Sequence, residues 1–178
     1  MAPPVFRYHP DPLGSGSLVA SDKTCRSCGQ ARGYIYTGPV YSAHQLDDSL
    51  CPWCIADGSA HEKFDAIFVD DEAFEGEVPE EAAEEITERT PGFNSFQGEG
   101  WPGCCEDATA FVTPAGMREL REQPDLEGLV LDHIIHQMEI SGGAATRLLN
   151  SLHRDAGPTA YLFRCLHCQN HHFHIDYV

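Results

Sequence analysis

Cys51-Pro52-Trp53-Cys54-Ile55-Ala56-Asp57-Gly58 is the stretch on which the reading of this chain turns. It holds one of three Cys-x-x-Cys steps; the others are Cys25-Arg26-Ser27-Cys28 and Cys165-Leu166-His167-Cys168, and the adjacent pair Cys104-Cys105 completes eight cysteines. A Cys-x-x-Cys turn can set two thiolates at neighbouring corners of a tetrahedron around one ion, and two such turns far apart in sequence are the usual way to close a four-thiolate zinc site. Between Cys28 and Cys51 lie 22 residues, close to the spacing of four-cysteine ribbons. The expectation is therefore two Zn2+ ions. One is held by Cys25, Cys28, Cys51 and Cys54, the other by Cys104, Cys105, Cys165 and Cys168. Adjacent cysteines normally point apart, so His167, His171, His172 and His174 stand in reserve for the second site, and an exchanged pairing among the three turns stays open. Read plainly, those histidines are a polar strand face.

At 178 residues the length suits a single domain, 1–178, with a core large enough to fold without disulfides. The start of the sequence has neither a charged n-region nor an apolar h-region, and no run of about 18 apolar residues occurs anywhere. The expectation is a soluble cytoplasmic protein with no membrane partner. In a reducing compartment, cysteines in paired spacing point to metal ligation rather than to a disulfide framework. A formal net charge of −17 repels nucleic acid and attracts basic proteins, although the same surface also serves plain solubility.

Along the chain, the residues to Gly16-Ser17 read as extended loop, and Tyr34-Ile35-Tyr36-Thr37 reads as the strand leaving the first knuckle. From Asp65 to Glu88 there are eleven acids and no base, and Pro79 to Glu88 reads as a short acidic helix with its acids where the macrodipole favours them. Thr113-Pro114-Ala115-Gly116-Met117 reads as an N-cap followed by Pro at the first helical position, opening a helix to about Gln123. Further helices are expected from Leu126 to Ile140 and from Ala144 to His153, with Gly142-Gly143 between them. Tyr161-Leu162-Phe163 and Phe173 to Val178 alternate into and out of the last Cys-x-x-Cys, a hairpin whose turn is a zinc knuckle. The fold class that follows is α+β, with small zinc-ribbon-like β-hairpins packed with several short α-helices.

Several blocks carry a family likeness: Tyr36-Thr37-Gly38-Pro39-Val40-Tyr41, Cys51 to Gly58, Ile86-Thr87-Glu88-Arg89-Thr90-Pro91-Gly92-Phe93, Trp101 with Cys105 and Asp107, and Tyr161 to Cys168. With these the chain resembles the CbrC family of small bacterial proteins, which includes a colicin-tolerance protein. Where that family has a His-Cys step, this chain has Cys104-Cys105; both residue types can ligate zinc. The resemblance implies a protective, immunity-like role and no assigned reaction.

Two further constellations point less strongly to chemistry. His133 and His136 share a helix face with Glu139, a spacing found in metal-carboxylate bundles, but no matching pair stands elsewhere. Cys51-Pro52-Trp53-Cys54 also has the form of a redox pair, without the βαβ setting such pairs have. The favoured function is a non-enzymatic zinc-binding protein that neutralises a basic, nuclease-type toxin through its acidic surface. The alternative is a zinc-dependent hydrolase with one open coordination position. A nucleic-acid-binding ribbon is the weakest reading, since Lys23 to Arg32 offers only Lys23, Arg26 and Arg32.

Overall fold

The computed structural model describes residues 2–176. Leu18–Ser21 (β1) pairs antiparallel with Gly33–Tyr36 (β2), so the aromatic run after the first Cys-x-x-Cys is a strand. Two short helices follow, Pro52–Ala56 (α1) and Ser59–Phe64 (α2), then the two-residue strand Phe74–Glu75 (β3) and the acidic helix Glu80–Arg89 (α3). Trp101–Cys104 (β4) lies parallel to β3 and antiparallel to Asp107–Ala108 (β5). Ala110–Ala115 (β6) leads into three helices, Met117–Arg121 (α4), Pro124–His136 (α5) and Gly143–Ser151 (α6). The chain closes with the antiparallel hairpin Thr159–Arg164 (β7) and His171–Asp176 (β8), and β6 flanks β7 in the order β6-β7-β8. The fold is mixed α+β, with small sheets and short helices. The sequence reading carried the last strand on through Tyr177 and Val178, which lie outside the described residues.

The segment read as a helix start, Thr113-Pro114-Ala115, is instead the end of β6, with Thr113 opposite Leu162 and Pro114 opposite Tyr161. A Pro lacks the N–H a central strand needs, but β6 is an edge strand with a register shift between Phe111 and Thr113, where a missing donor is tolerated. The helix begins at Met117, and the Gly116 N–H donates to the Glu119 carboxylate at 2.9 Å. Helix α5 stops at His136, short of Ile140.

Strand β7 is buried on both faces, and its alternation divides the core. Ala160 and Leu162 join Phe173, Ile175, Leu120, Val130, Ile134 and Leu149 under the three helices. Tyr161 and Phe163 face the other way, into an aromatic cluster with Tyr8, Phe93, Trp101 and Phe111. There Phe93 stacks on Phe111 with centroids 4.2 Å apart, and the Trp101 indole N–H donates to the Thr109 carbonyl at 2.8 Å. An aromatic pair such as Phe93–Phe111 adds about 0.5–1.5 kcal/mol beyond the area it buries. A third cluster, with Tyr36, Leu46, Leu50, Ile55 and Phe68, encloses Cys25, Cys51 and Cys54. No helix among the described residues is long and apolar enough to cross a membrane.

Two contacts tie these clusters together. The Gly92 N–H donates to the buried Tyr36 hydroxyl at 3.0 Å, which itself donates to the Pro39 carbonyl at 2.8 Å. A β-carbon at Gly92 would collide with the Phe68 carbonyl oxygen, a backbone atom that cannot swing aside. His9 is fully buried against Phe111, with Nδ1 2.6 Å from the Pro91 carbonyl oxygen and Nε2 2.7 Å from the Ser15 hydroxyl. A carbonyl only accepts, so Nδ1 carries the proton and Nε2 accepts from Ser15. Burial, which disfavours the charged ring, pushes the His9 pKa down to about 4, against a smaller upward pull from the Pro91 carbonyl.

Gly92→Ala is expected to cost about 1–3 kcal/mol through overpacking, read as a lowered midpoint in chemical denaturation. For His9 the sign is that of a folded pKa below the unfolded one: its neutral form stabilises the fold above about pH 6.5, and that stability is lost as pH falls towards 4. In NMR titration the His9 ring is expected to stay unprotonated at about pH 5, where an exposed imidazole has already titrated.

Candidate metal centres

The first centre joins a β-turn to the start of a helix. Cys25 and Cys28 flank a knuckle in which the Cys25 N–H donates to the Gln30 carbonyl at 2.9 Å and the Gly29 N–H to the Cys25 carbonyl at 2.8 Å. Gly29 closes it at φ 71, a conformation glycine adopts at no steric cost. Opposite, Cys51 is the N-cap of α1 and Pro52 its first residue, which puts Cys54 in the first turn. The second half of this centre is thus a helix start rather than a hairpin knuckle. A helix N-terminus presents unpaired N–H groups and partial positive charge, both suited to thiolates. The Cys51 N–H donates to Cys25 Sγ at 3.3 Å. Sulfur–sulfur distances are 3.6 Å for Cys51–Cys54 and 3.9 Å for both Cys25–Cys54 and Cys28–Cys51. Ile55 seats the helix in the core, while Trp53 lies half-buried beneath Arg32, 5.6 Å from its guanidinium.

The second centre repeats the knuckle on a different frame. Between β7 and β8 the Cys165 N–H donates to the Asn170 carbonyl at 2.9 Å, the same five-residue step as Cys25 to Gln30. Gln169 stands where Gly29 does, at φ 65, and the His167 and Cys168 N–H groups donate to Cys165 Sγ at 3.4 and 3.5 Å. The other half is the turn between β4 and β5. Cys105 and Glu106 occupy its two central positions with φ 55 and 58, the left-handed pair of a type I′ hairpin turn that normally takes Asn-Gly. That conformation solves the adjacency problem, because the chain reverses at Cys105 and both sulfurs face the knuckle. Cys104 Sγ is 3.7 Å from both Cys105 Sγ and Cys168 Sγ.

Within each set the four sulfurs all lie within 4.8 Å of one another. Four Zn–S bonds of about 2.3 Å at tetrahedral angles require sulfurs about 3.8 Å apart, and a disulfide about 2.05 Å. The spacing fits a shared ion, and all eight thiols are free. Cys25 is pulled down to about 4, first by the hydrogen bond from the Cys51 thiol and then, against burial, by backbone N–H groups including that of Cys28. Cys51 is pushed up chiefly by donating that bond, and Cys54 by burial. In the second set burial works against Cys165, but the N–H groups of Cys168 and His167 and the neighbouring thiols outweigh it and bring it down to about 6. Cys104 is pushed up, first by burial. Each set therefore holds one ready thiolate whose charge keeps neighbouring protons in place, the situation a divalent cation resolves.

Among the described residues these are the only groups of three or more His, Cys, Asp or Glu side chains close enough to share an ion. The reserve histidines are engaged elsewhere or open to a cleft. His167 Nε2 contacts Asp107 at 2.9 Å, His174 sits between Glu75 at 3.0 Å and Asp176 at 3.4 Å, and His171 and His172 face His133 and His136 across a cleft. Glu139 lies beyond the end of α5, away from the helical repeat that placed it with those two histidines. The residue whose structural role the sequence left unread is Asp107. Its buried carboxylate accepts from Tyr8 at 2.8 Å, Arg7 at 2.6 Å, His167 and the Ala108 N–H, tying the N-terminal segment to the second knuckle. Tyr8, Arg7 and His167 are remote in sequence from Asp107, and no local signal joins them.

The pattern of an uncharacterised protein family, UPF0167, matches residues 3–177. UPF0167 proteins of Mycobacterium bovis and Mycobacterium tuberculosis are each 45% identical over 179 residues, covering 98% of this chain and 94% of their own. One from Pseudomonas aeruginosa is 46% identical over 184 residues, covering 100% of both chains. No solved structure matches the chain.

Because Cys51 and Cys54 hold their protons until a cation displaces them, metal affinity of the first centre is expected to rise steeply with pH near neutrality, by at least about two decades per unit. Competition with a chromogenic chelator across pH 6–8 measures that slope. Cys51→Ser removes a ligand from inside a core cluster, and is expected to cost one bound ion per chain together with cooperative unfolding, read by native mass spectrometry and circular dichroism.

Proposed function

We propose, from the premise that the chain belongs to the uncharacterised protein family UPF0167, that it is a zinc protein whose two ions are structural and whose work is binding a basic protein, such as the nuclease domain of a bacterial toxin. A tetrahedral four-sulfur shell is the donor set of structural zinc, and it is completed by protein alone. Hydrolysis needs three protein ligands and a water, so closed shells favour a non-enzymatic reading over a zinc hydrolase. Thiolate ligands also suit a reducing, cytoplasmic setting.

The observation that carries the partner class is the acidic stretch from Asp65 to Glu88. Eight of its eleven acids are exposed: Asp65, Asp71, Glu72, Glu75, Glu77, Glu80, Glu81 and Glu84. Among the described residues its ion pairs are Glu75 with His174 and Glu88 with His61, so most of this charge is uncompensated within the protein. A nuclease is basic where it grips phosphate, and a rigid acidic face docks there quickly through electrostatic steering. The likeness to the CbrC family adds the immunity or tolerance role. A nucleic-acid ribbon is disfavoured by the repulsion of a −17 charge and by the knuckle's cations, of which Lys23 pairs with Asp48, Arg26 donates to the Gln45 carbonyl and Arg32 covers Trp53.

Co-expression with a panel of nuclease-type toxin domains is expected to rescue growth for one of them and to yield a complex. Glu80→Gln, Glu81→Gln and Glu84→Gln together are expected to slow its association about tenfold, with a weaker salt dependence and unchanged folding. Rescue by none of the panel, with no complex captured, would overturn the partner assignment.

A further inference from the structure

The two centres differ in what shields them. In the first, Cys25, Cys51 and Cys54 are 0, 0 and 2% exposed, enclosed by Leu46, Leu50, Ile55 and Phe68, and only Cys28 is partly exposed. In the second only Cys165 is buried; Cys104 is partly exposed, and Cys105 and Cys168 are open to solvent. An open cleft of about 430 Å³, bounded by Arg7, Glu85, Glu106 and His167, reaches Cys105 from one side. An oxidant can therefore touch three of the second centre's sulfurs without the protein unfolding, whereas in the first it meets Cys28 alone and the other three must be uncovered.

We propose that the second centre is a site of oxidative modification, in which peroxide joins Cys104 to Cys168 as a disulfide and the centre releases its ion while the first stays reduced. The inference rests on reading both clusters as zinc sites. Cys104 Sγ and Cys168 Sγ are 3.7 Å apart, so a side-chain rotation at two exposed turns brings them to bonding distance near 2.05 Å. Cys105 is equally close to Cys104, but a bond between adjacent residues closes an eight-membered ring around a planar trans peptide, which strains it. Cys165 is buried and receives two backbone N–H donors, which hold it in place.

The chemistry balances with hydrogen peroxide as the oxidant. The Cys168 thiolate takes one peroxide oxygen to become a sulfenic acid, and the other oxygen leaves as water after protonation. The Cys104 thiolate then attacks that sulfur and expels hydroxide, which is protonated to a second water. Two thiolates, one peroxide and two protons give one disulfide and two waters. The ion loses two of its four ligands.

The test uses the full chain loaded with zinc and counted by native mass spectrometry. Near-stoichiometric hydrogen peroxide is added, zinc release is followed with a chromogenic chelator, and disulfides are mapped after alkylation. One zinc per chain is expected to leave, with a Cys104–Cys168 cross-linked peptide, reversal by dithiothreitol, and Cys25, Cys28, Cys51 and Cys54 still reduced. Cys105→Ser should keep the cross-link and Cys104→Ser should lose it. Loss of both ions together, oxidation of the first centre first, a disulfide between other cysteines, or no oxidation at peroxide excess that oxidises the unfolded chain would each overturn the inference. A chain carrying no zinc would sink the metal reading alone, because mapping the same sample still shows which cysteines peroxide joins.

Discussion

Four sulfurs within 4.8 Å of one another cannot all be ionised without a cation between them, and the architecture is arranged around that constraint twice. Each set spans remote parts of the chain: Cys25 with Cys54 across 29 residues, Cys104 with Cys168 across 64. An ion at each place would act as a cross-link between segments with little regular structure of their own. Strands β1 and β2 have four residues each, β5 has two and α1 has five, too short to be stable without tertiary partners.

The two centres meet the constraint with one shared device and two different partners. Both use a knuckle whose first cysteine is stabilised as thiolate by backbone N–H groups and whose exit residue is left-handed. To this the first adds a helix N-terminus sunk in apolar side chains, and the second adds a hairpin turn at the surface. The shared half supplies backbone N–H donors to the low-pKa thiol of each set, and in the first the larger pull comes from the Cys51 thiol at the helix start. The unshared half decides exposure, and with it which centre an external reagent meets.

Two buried carboxylates, Asp107 and Asp176, anchor the aromatic cluster of Tyr8, Phe93, Trp101, Phe111, Tyr161 and Phe163 through Tyr8 and Tyr161. Asp107 accepts from Tyr8, Arg7 and His167; Asp176 accepts from Tyr161 at 3.0 Å, Ser95 at 2.9 Å and the Phe96 N–H at 2.7 Å. Each holds its negative charge by hydrogen bonds, so its carboxyl stays below the usual range despite burial. These anchors fix the loop segments 2–17 and 90–100 onto the sheet, leaving the acidic helix α3 on the outside, where its charge faces solvent.

Much of the scaffold was legible in the residues alone, because its signals are local. Cys-x-x-Cys spacing marks a ligand pair, the alternation of Tyr161 to Phe163 marks a strand, and Pro79 ahead of acids marks a helix start. Thr113-Pro114 misled for a local reason as well: Pro suits both the first turn of a helix and an edge strand, and only the place of β6 at the sheet edge chooses between them. The sequence could count the thiols and propose their partners. Whether Cys104 and Cys105 can face one ion depended on a left-handed turn that β4–β5 pairing imposes, and whether a centre is sealed or open depended on which distant side chains cover it. Local spacing determines which atoms can be ligands; convergence and exposure belong to segments tens of residues apart, and only packing brings those together.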